Sequence, residues 1–381
     1  MKFSVLSSIL NSKLQILGKV ITNKPKVPIL THFLLDIGKE NLIITATDME
    51  KTIIASMPID NDIKEDDNYC CGSVCVESKL LIDILHNFNE EVLIFEADSQ
   101  SHQFDIRSDS GVYSLRCTEG ENFPVMAPID DAAKEIAIPT DILSDAIDKT
   151  VFAATTDDLR PALCGIFVDI ADDGITFVGT DSHKMSVYKR KDIVSSLKGS
   201  FIIPKKGATL LKSVLIKSEA DTKFKFNNNF ALFELEEYKI GIRLIDAQFP
   251  AYQTVIPQNN DNKLIIKRES FIKSIKRVSV FGEKTSNLIK FDLKPNKLTI
   301  TAQDLNFNVS GTEHIECKYD GNDLTIGFKA AFLLEMLISL NSDEIIISFS
   351  DNSGAILIGQ TENKNVLESI VMLLMPMMIN N

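Results

Sequence analysis

The feature that most constrains this chain is a pattern stated three times in order. An apolar strand ending on aspartate appears as Leu42-Ile43-Ile44-Thr45-Ala46-Thr47-Asp48, as Ile175-Thr176-Phe177-Val178-Gly179-Thr180-Asp181, and as Leu298-Thr299-Ile300-Thr301-Ala302-Gln303-Asp304. Each copy opens on a β-like stretch that runs into an amphipathic helix: Phe3-Ser4-Val5 into the segment from Ser8 to Leu17, Ile136-Ala137-Ile138 into Asp141 to Ile147, and Leu264-Ile265-Ile266 into Ser270 to Val278. Ser8, Asp141 and Ser270 stand where helix N-caps belong. A later strand and helix also recur, as Val74-Cys75-Val76 into Lys79 to Leu85, Phe201-Ile202-Ile203 into Leu210 to Leu215, and Leu324-Thr325-Ile326 into Phe332 to Leu337. Period-two apolar runs between them, such as Phe230 to Leu235 and Ile345 to Phe349, read as antiparallel strands joined at turns such as Glu236-Glu237 and Asp351-Asn352. Three unrelated domains would not repeat these signatures in register, so the pattern points to internal duplication.

At 381 residues the chain exceeds one ordinary domain. The expected class is α+β: three repeated domains, 1–127, 128–258 and 259–381, each with two helices packed on antiparallel sheets. The longest apolar run, Val371 to Ile379, is far short of the ~20 residues of a membrane-spanning helix. The start superficially resembles a signal peptide, but Asn11, Lys13 and Gln15 interrupt it, and a cytoplasmic protein is expected. Six cysteines in so long a chain do not form a disulfide framework. Cys70-Cys71 and Cys75 lack the spacing of a tetrahedral site, so neither metal nor cofactor is expected.

The net charge of −13 argues against bulk attraction to nucleic acid, so any DNA role must rest on segregated charge or on something other than grip. Acidic runs at Asp60 to Asp67, Asp130-Asp131 and Asp172-Asp173 read as loops. At 100° per residue, Phe271, Ile272, Ile275 and Val278 share one helix face and Lys273, Lys276 and Arg277 the other. Such lysines are also what any solvated helix face carries, and Asp145 and Asp148 beside Lys149 weaken the pattern in the second copy. Asp181 and His183 invite an acid–base reading, yet Asp48 and Asp304 repeat the aspartate without the histidine. A residue repeated three times caps a turn, and with no P-loop, dinucleotide fingerprint or nucleophile motif an enzyme is not expected.

Lys24-Pro25-Lys26-Val27-Pro28-Ile29-Leu30, Thr180-Asp181-Ser182-His183-Lys184-Met185, Ile203-Pro204-Lys205-Lys206-Gly207, Phe249-Pro250-Ala251-Tyr252 and the tail Met375-Pro376-Met377 follow one another in an order that resembles the bacterial DNA polymerase III beta subunit, the DNA sliding clamp family, over essentially the whole chain. The resemblance implies a ring formed as a head-to-tail homodimer, with helices lining a hole that encircles double-stranded DNA without reading its sequence. Processivity then comes from enclosure, and weak contacts permit sliding. By resemblance Lys24, Arg160, Lys205 and Lys206 lie near DNA, joined by Lys273, Lys276 and Arg277 from the helix-face argument.

The implied partners are the DNA polymerase III catalytic subunit, the clamp loader and other clamp-binding-motif proteins. The resemblance assigns their peptide pocket to Leu163, Thr180, Ser182, His183, Lys184, Met185, Pro250, Thr254, Val255, Leu373, Leu374, Met375, Pro376, Met377 and Met378. Methionines suit a groove that accepts many partners, although the tail also reads as a final edge strand. The dimer interface is implied at Tyr113, Val280 and Phe281. Departures fall at Ser182, where the family usually has glycine, at Thr254 and Met378, where basic residues are common, and at Pro161-Ala162, where some members carry aromatics. They motivate a second reading, a diverged clamp-fold scaffold that binds peptides without encircling DNA.

Overall fold

The computed structural model describes residues 1–22, 24–59, 71–98, 100–124, 134–195, 197–215, 220–361 and 366–379. The acidic runs Asp60–Asp67 and Asp130–Asp131, and Cys70, lie outside them. Six α-helices occur among the described residues: α1 (Ser7–Leu17), α2 (Ser78–His86), α3 (Thr140–Asp148), α4 (Lys205–Leu215), α5 (Arg268–Ser279) and α6 (Ala330–Ser339).

The backbone gathers into two compact units, Met1–Leu143 with Thr209–Leu244, and Ser144–Ala208 with Ile245–Asn381. The first holds a 12-stranded antiparallel sheet, ordered Lys2–Leu6, Val92–Asp98, Gln103–Arg107, Val112–Glu119, Gly72–Glu77, His32–Ile37, Asn41–Thr47, Lys51–Pro58, Tyr238–Arg243, Phe230–Glu234, Thr222–Phe226 and Lys134–Ile138. The second holds a nine-stranded sheet, Gly199–Pro204, Gly165–Ala171, Gly174–Thr180, Lys184–Arg190, Glu368–Leu374, Ile356–Gln360, Glu344–Phe349, Asn262–Lys267 and Lys318–Tyr319. It also holds a four-stranded sheet, Val309–Glu316, Lys297–Asp304, Leu288–Lys294 and Leu324–Lys329. The central repeat is therefore divided: Tyr238–Arg243 pairs with Lys51–Pro58 of the first repeat, and Lys184–Arg190 pairs with Glu368–Leu374 of the third. Strand pairing across repeats covers edges that each repeat alone would leave open.

Alternation along the strands places one face of each sheet against helices. On α5, Phe271, Ile275 and Val278 are buried as the helix periodicity predicts, while Ile272 is only partly so. The N-cap expectation is corrected. α1 and α5 begin at Ser7 and Arg268, directly after a strand, with Leu6 and Lys267 at the cap positions and no side-chain cap. Their first N–H groups instead donate to carbonyls just ahead of the neighbouring strand, Ser7 to Glu91 and Arg268 to Asp343, each at 2.9 Å. Backbone satisfied in this way needs no serine. Ser270 lies inside α5 and donates to the Lys267 carbonyl at 3.0 Å. Asp141 lies within the first turn of α3, where it accepts from Ile142 N at 2.8 Å.

Among the described residues no helix is long and apolar enough to cross a membrane, and no group of histidine, cysteine, aspartate and glutamate could hold a metal ion. Cys71, Cys75, Cys117, Cys164 and Cys317 are free thiols.

Candidate partner groove and DNA-facing side chains

The three aspartates build the same turn. Asp48 Oδ1 accepts from the N–H groups of Glu50 and Lys51 at 3.0 and 2.7 Å. Asp181 Oδ1 accepts from His183 and Lys184 at 2.9 and 2.8 Å. Asp304 Oδ1 accepts from Asn306 and Phe307 at 2.9 and 3.3 Å. The repeated aspartate is thus a turn-former. In the second copy the turn carries Ser182 at φ 78°. That left-handed conformation gives a physical reason for glycine there, and Met49 adopts it at φ 74° in the first copy.

The Asp181 turn delivers the strand Lys184–Arg190 beside Glu368–Leu374, with Met185 opposite Leu373 and Lys184 opposite Leu374. Because side chains alternate, this register divides the sequence-expected pocket residues between two faces. On one face Val178, Met185, Leu373 and Tyr252 form a buried cluster, with Phe167, Val187, Phe249, Ile256 and Leu357 packed against it. Phe249 stacks on Phe167 at 4.6 Å between centroids, and Tyr252 meets Phe167 edge-on at 6.3 Å. Thr180, paired with Met185, shares this face, and Pro250, Thr254 and Val255 are exposed on the segment that carries Tyr252. Leu163 is buried in a short helical turn whose carbonyl accepts from Thr155 N at 2.9 Å.

Lys184 and Leu374 point to the opposite face and do not line this groove. Lys184 is 5% exposed, ion-paired with Glu335 of α6, and its Nζ lies 4.4 Å from the Phe332 ring centroid. Leu374 is fully buried. Both support the groove from beneath.

The tail is corrected too, since Glu368–Leu374 is an interior strand between Lys184–Arg190 and Ile356–Gln360. Beyond it, Met375 N donates to the His183 carbonyl at 2.8 Å, and Met377 N donates to the Gly327 carbonyl at 2.8 Å. Pro376 sits half-buried between them, and Met378 is 95% exposed. Sequence reasoning missed Phe167, Val178, Phe249 and Tyr252 as groove residues. The Phe-Pro-x-Tyr signature was the available signal, but only the sheet register shows that Phe167 and Val178 reach the same face.

The basic residues fall into two groups. Arg160 is tied to the Asp181 turn: Nε donates to Asp157 at 2.9 Å, and Nη1 donates to the Asp181 carbonyl and Ser182 Oγ at 3.1 and 3.0 Å. That places it at the groove's end of the strand. Lys205 donates to the Ala154 carbonyl at 2.6 Å, and burial, then the nearby Lys184 charge, hold its ammonium below the ordinary lysine value. Lys273 pairs with Glu269, and Arg277 grips Glu313 through two nitrogens at 2.5 and 2.8 Å. Those bonds hold the Glu313 carboxyl below the ordinary carboxylate value. Lys24, Lys206 and Lys276 are exposed and make no ion pair with the described residues.

In the first unit Tyr113 packs edge-on against Phe88 at 5.4 Å; in the second, Val280 is 79% exposed and Phe281 follows it at the end of α5.

Duplicated α+β repeats joined by shared sheets, with an apolar cluster on one sheet face and lysines on helices, define a clamp-type scaffold. Family models for the DNA polymerase III beta subunit match its N-terminal domain at residues 1–127, its central domain at 137–251 and its C-terminal domain at 253–377. The beta sliding clamp of Bacillus subtilis (strain 168) is 26% identical, covering 99% of each chain, and that of Vibrio cholerae is 24% identical, covering 96% of this chain and 98% of its own. Solved structures share the fold. A DnaN sliding clamp from Pseudomonas aeruginosa superposes with a TM-score of 0.91 at 21% identity, and the Thermotoga maritima beta subunit with 0.88 at 22%, both covering 100% of each chain. The chain belongs to the DNA polymerase III beta subunit family. It is a DNA sliding clamp, a non-catalytic processivity factor of replication, and membership along its whole length does not favour the reading of a scaffold that has lost DNA encirclement.

Proposed function

We propose that two copies of this chain close head to tail around duplex DNA in the cytoplasm, with domains bounded at 1–127, 128–258 and 259–381, and that the groove over Met185, Leu373 and Tyr252 receives a short apolar peptide from polymerase, clamp loader or repair proteins. The observation that carries this reading is a buried apolar cluster on a sheet shared by two repeats, on the face away from α6 and beside the exposed Pro250, Thr254 and Val255. Apolar, aromatic-lined concavities with a few polar groups at the rim are the usual form of a peptide anchor site. Ser182, His183, Thr254, Met375 and Met378 form that rim, all exposed.

Lys24, Lys206 and Lys276 supply sequence-blind contacts to phosphate, few enough for the protein to slide. Tyr113, Val280 and Phe281 meet across the interface between copies. After loading, the protein is retained on nicked circular DNA and released when that DNA is cut; equal loss from both forms rejects enclosure. Deleting residues 375–381 abolishes binding of a polymerase-derived peptide in a chain that still folds, and unchanged affinity rejects the groove.

A further inference from the structure

The first junction between repeats carries a cleft at the place where the second carries its apolar cluster. In the hairpins Leu34 opposes Thr45 and Thr47 opposes Thr52, as Phe167 opposes Val178 and Thr180 opposes Met185. Leu34, Thr45 and Thr52 are therefore the counterparts of Phe167, Val178 and Met185. Phe123 packs on Leu34 as Phe249 stacks on Phe167. Leu34 and Thr52 are smaller than Phe167 and Met185, and a cleft of about 530 Å³ lies over them. All of its lining belongs to the first compact unit, whereas the Met185–Leu373 face belongs to the second.

The floor of the cleft runs across strands. Leu34, Thr45 and Ile54 form one row from His32–Ile37 to Lys51–Pro58, and Asp36, Ile43 and Ser56 form the row beside it. Alternation turns both rows away from Ile44, Ala46 and Ile53, which are fully buried on the opposite face. Ile43 is 39% exposed, an apolar branched side chain at the surface. Carboxylates stand at both ends: Asp36 on the strand His32–Ile37, and Glu236 and Glu237 in the turn leading into Tyr238–Arg243. Glu237 is paired with Lys13 at 2.9 Å, and Lys239 lies 3.7 Å from Glu234. Asp36 and Glu236 make no ion pair with the described residues. Burial raises the Asp36 carboxyl above the ordinary 3.8, and no neighbouring cation opposes that.

We propose that this cleft receives a short extended peptide in which an aliphatic side chain is flanked, two residues away on each side, by lysine or arginine. The spacing carries the match. From His32–Ile37 to Tyr238–Arg243 there are three strand separations, about 14 Å at about 4.8 Å each. Two residues four positions apart in an extended peptide are about 13 Å apart, and they share one face with the residue midway between them. The aliphatic side chain then covers Ile43 and Ile54, one cation reaches Asp36 and the other reaches Glu236. A charge-assisted hydrogen bond to a half-buried carboxylate is the strong kind, which makes the basic residues selective. An acidic peptide meets the same carboxylates with like charge.

The test titrates fluorescein-labelled Lys-Ser-Leu-Ser-Lys, and separately Glu-Ser-Leu-Ser-Glu, with the full-length protein and follows anisotropy. Saturable binding of the lysine peptide and none of the glutamate peptide is the expected result. Asp36→Asn weakens the lysine peptide about tenfold, the worth of one charge-assisted hydrogen bond, and Ile43→Lys weakens it at least as much. Deleting residues 375–381 leaves it unchanged. Circular dichroism melting confirms that each variant is folded at the temperature of the titration. No saturable binding, equal binding of the two peptides, or an affinity that either substitution leaves unchanged overturns the inference. Affinity lost on the deletion and retained in both substituted chains moves the peptide to the Met185–Leu373 face, which overturns the inference and leaves the groove of the second unit standing.

Discussion

The Lys184 ammonium is ion-paired with Glu335 on α6 while its own backbone forms the strand that carries Met185 into the groove. A side chain 5% exposed must have its charge answered, and the Phe332 ring beneath the ammonium, together with Asp181 at 3.9 Å, completes the cage. Removing the carboxylate alone strands the charge. Glu335→Ala is expected to lower unfolding stability by about 1–3 kcal/mol, the range for an uncompensated buried polar group, whereas Lys184→Met, which removes the charge and keeps the volume, costs less. Urea denaturation of both variants checks the order; equal losses would show that the pair is not coupled to burial.

Ser182 stands in a left-handed conformation at φ 78°, and its hydroxyl oxygen accepts from Arg160 at 3.0 Å. For a residue with a Cβ this conformation costs roughly 1–2 kcal/mol. The single exposed hydrogen bond offsets only part of that. Ser182→Gly is therefore expected to raise the melting temperature, and Ser182→Val, with a branched Cβ that tolerates the region worst, to lower it. A melting temperature reduced in the glycine variant would mean that the Arg160 contact outweighs the strain.

How far these features were legible in the sequence depends on distance along the chain. The repeated aspartate, the strand-to-helix order and the buried face of α5 are local patterns, and they were readable because period and turn chemistry act within a few residues. The cap residues were misread because Glu91 and Asp343 supply the carbonyls from far along the chain. The two faces of the groove were invisible for the same reason. Lys184 and Met185 are neighbours in sequence, and only their pairing with Leu374 and Leu373 shows that they point apart. The basic residues could be found by composition, but the carboxylates that engage Arg277 and Arg160 could not be assigned without coordinates.

Asp36 gives a pH dependence with a definite sign. It sits half-buried on the strand His32–Ile37, and desolvation raises its carboxyl above the ordinary 3.8. Its charge also adds to the burial that pushes the Cys75 thiol up to about 11. A carboxyl raised in the folded state contributes stability that is complete below its unfolded value and is lost as pH rises through its folded value. At pH near 7 the ionised group therefore opposes folding. Asp36→Asn should melt higher than the unsubstituted chain near neutrality, and the difference should shrink as pH falls toward 3.8. A difference that is constant with pH would assign the effect to something other than ionisation.

The acidic chain separates lysines that can reach phosphate from those already engaged. Lys276 is exposed and makes no ion pair with the described residues, whereas the next residue, Arg277, is held by both oxygens of Glu313. Each phosphate contact releases counterions, so losing one contact lowers the slope of log affinity against log salt by about 1. Lys276→Ala and Lys206→Ala are each expected to flatten that slope for binding to linear duplex. Arg277→Ala should leave it nearly unchanged, because a guanidinium already neutralised has little to offer a phosphate. Once the protein is loaded on closed circular DNA, its retention should not follow these slopes, because enclosure does not depend on ion pairs. Fluorescence anisotropy over a salt series, set beside retention on circular DNA, reads both quantities; an Arg277→Ala slope that falls as far as that of Lys276→Ala would show that the Glu313 pair opens when DNA is present.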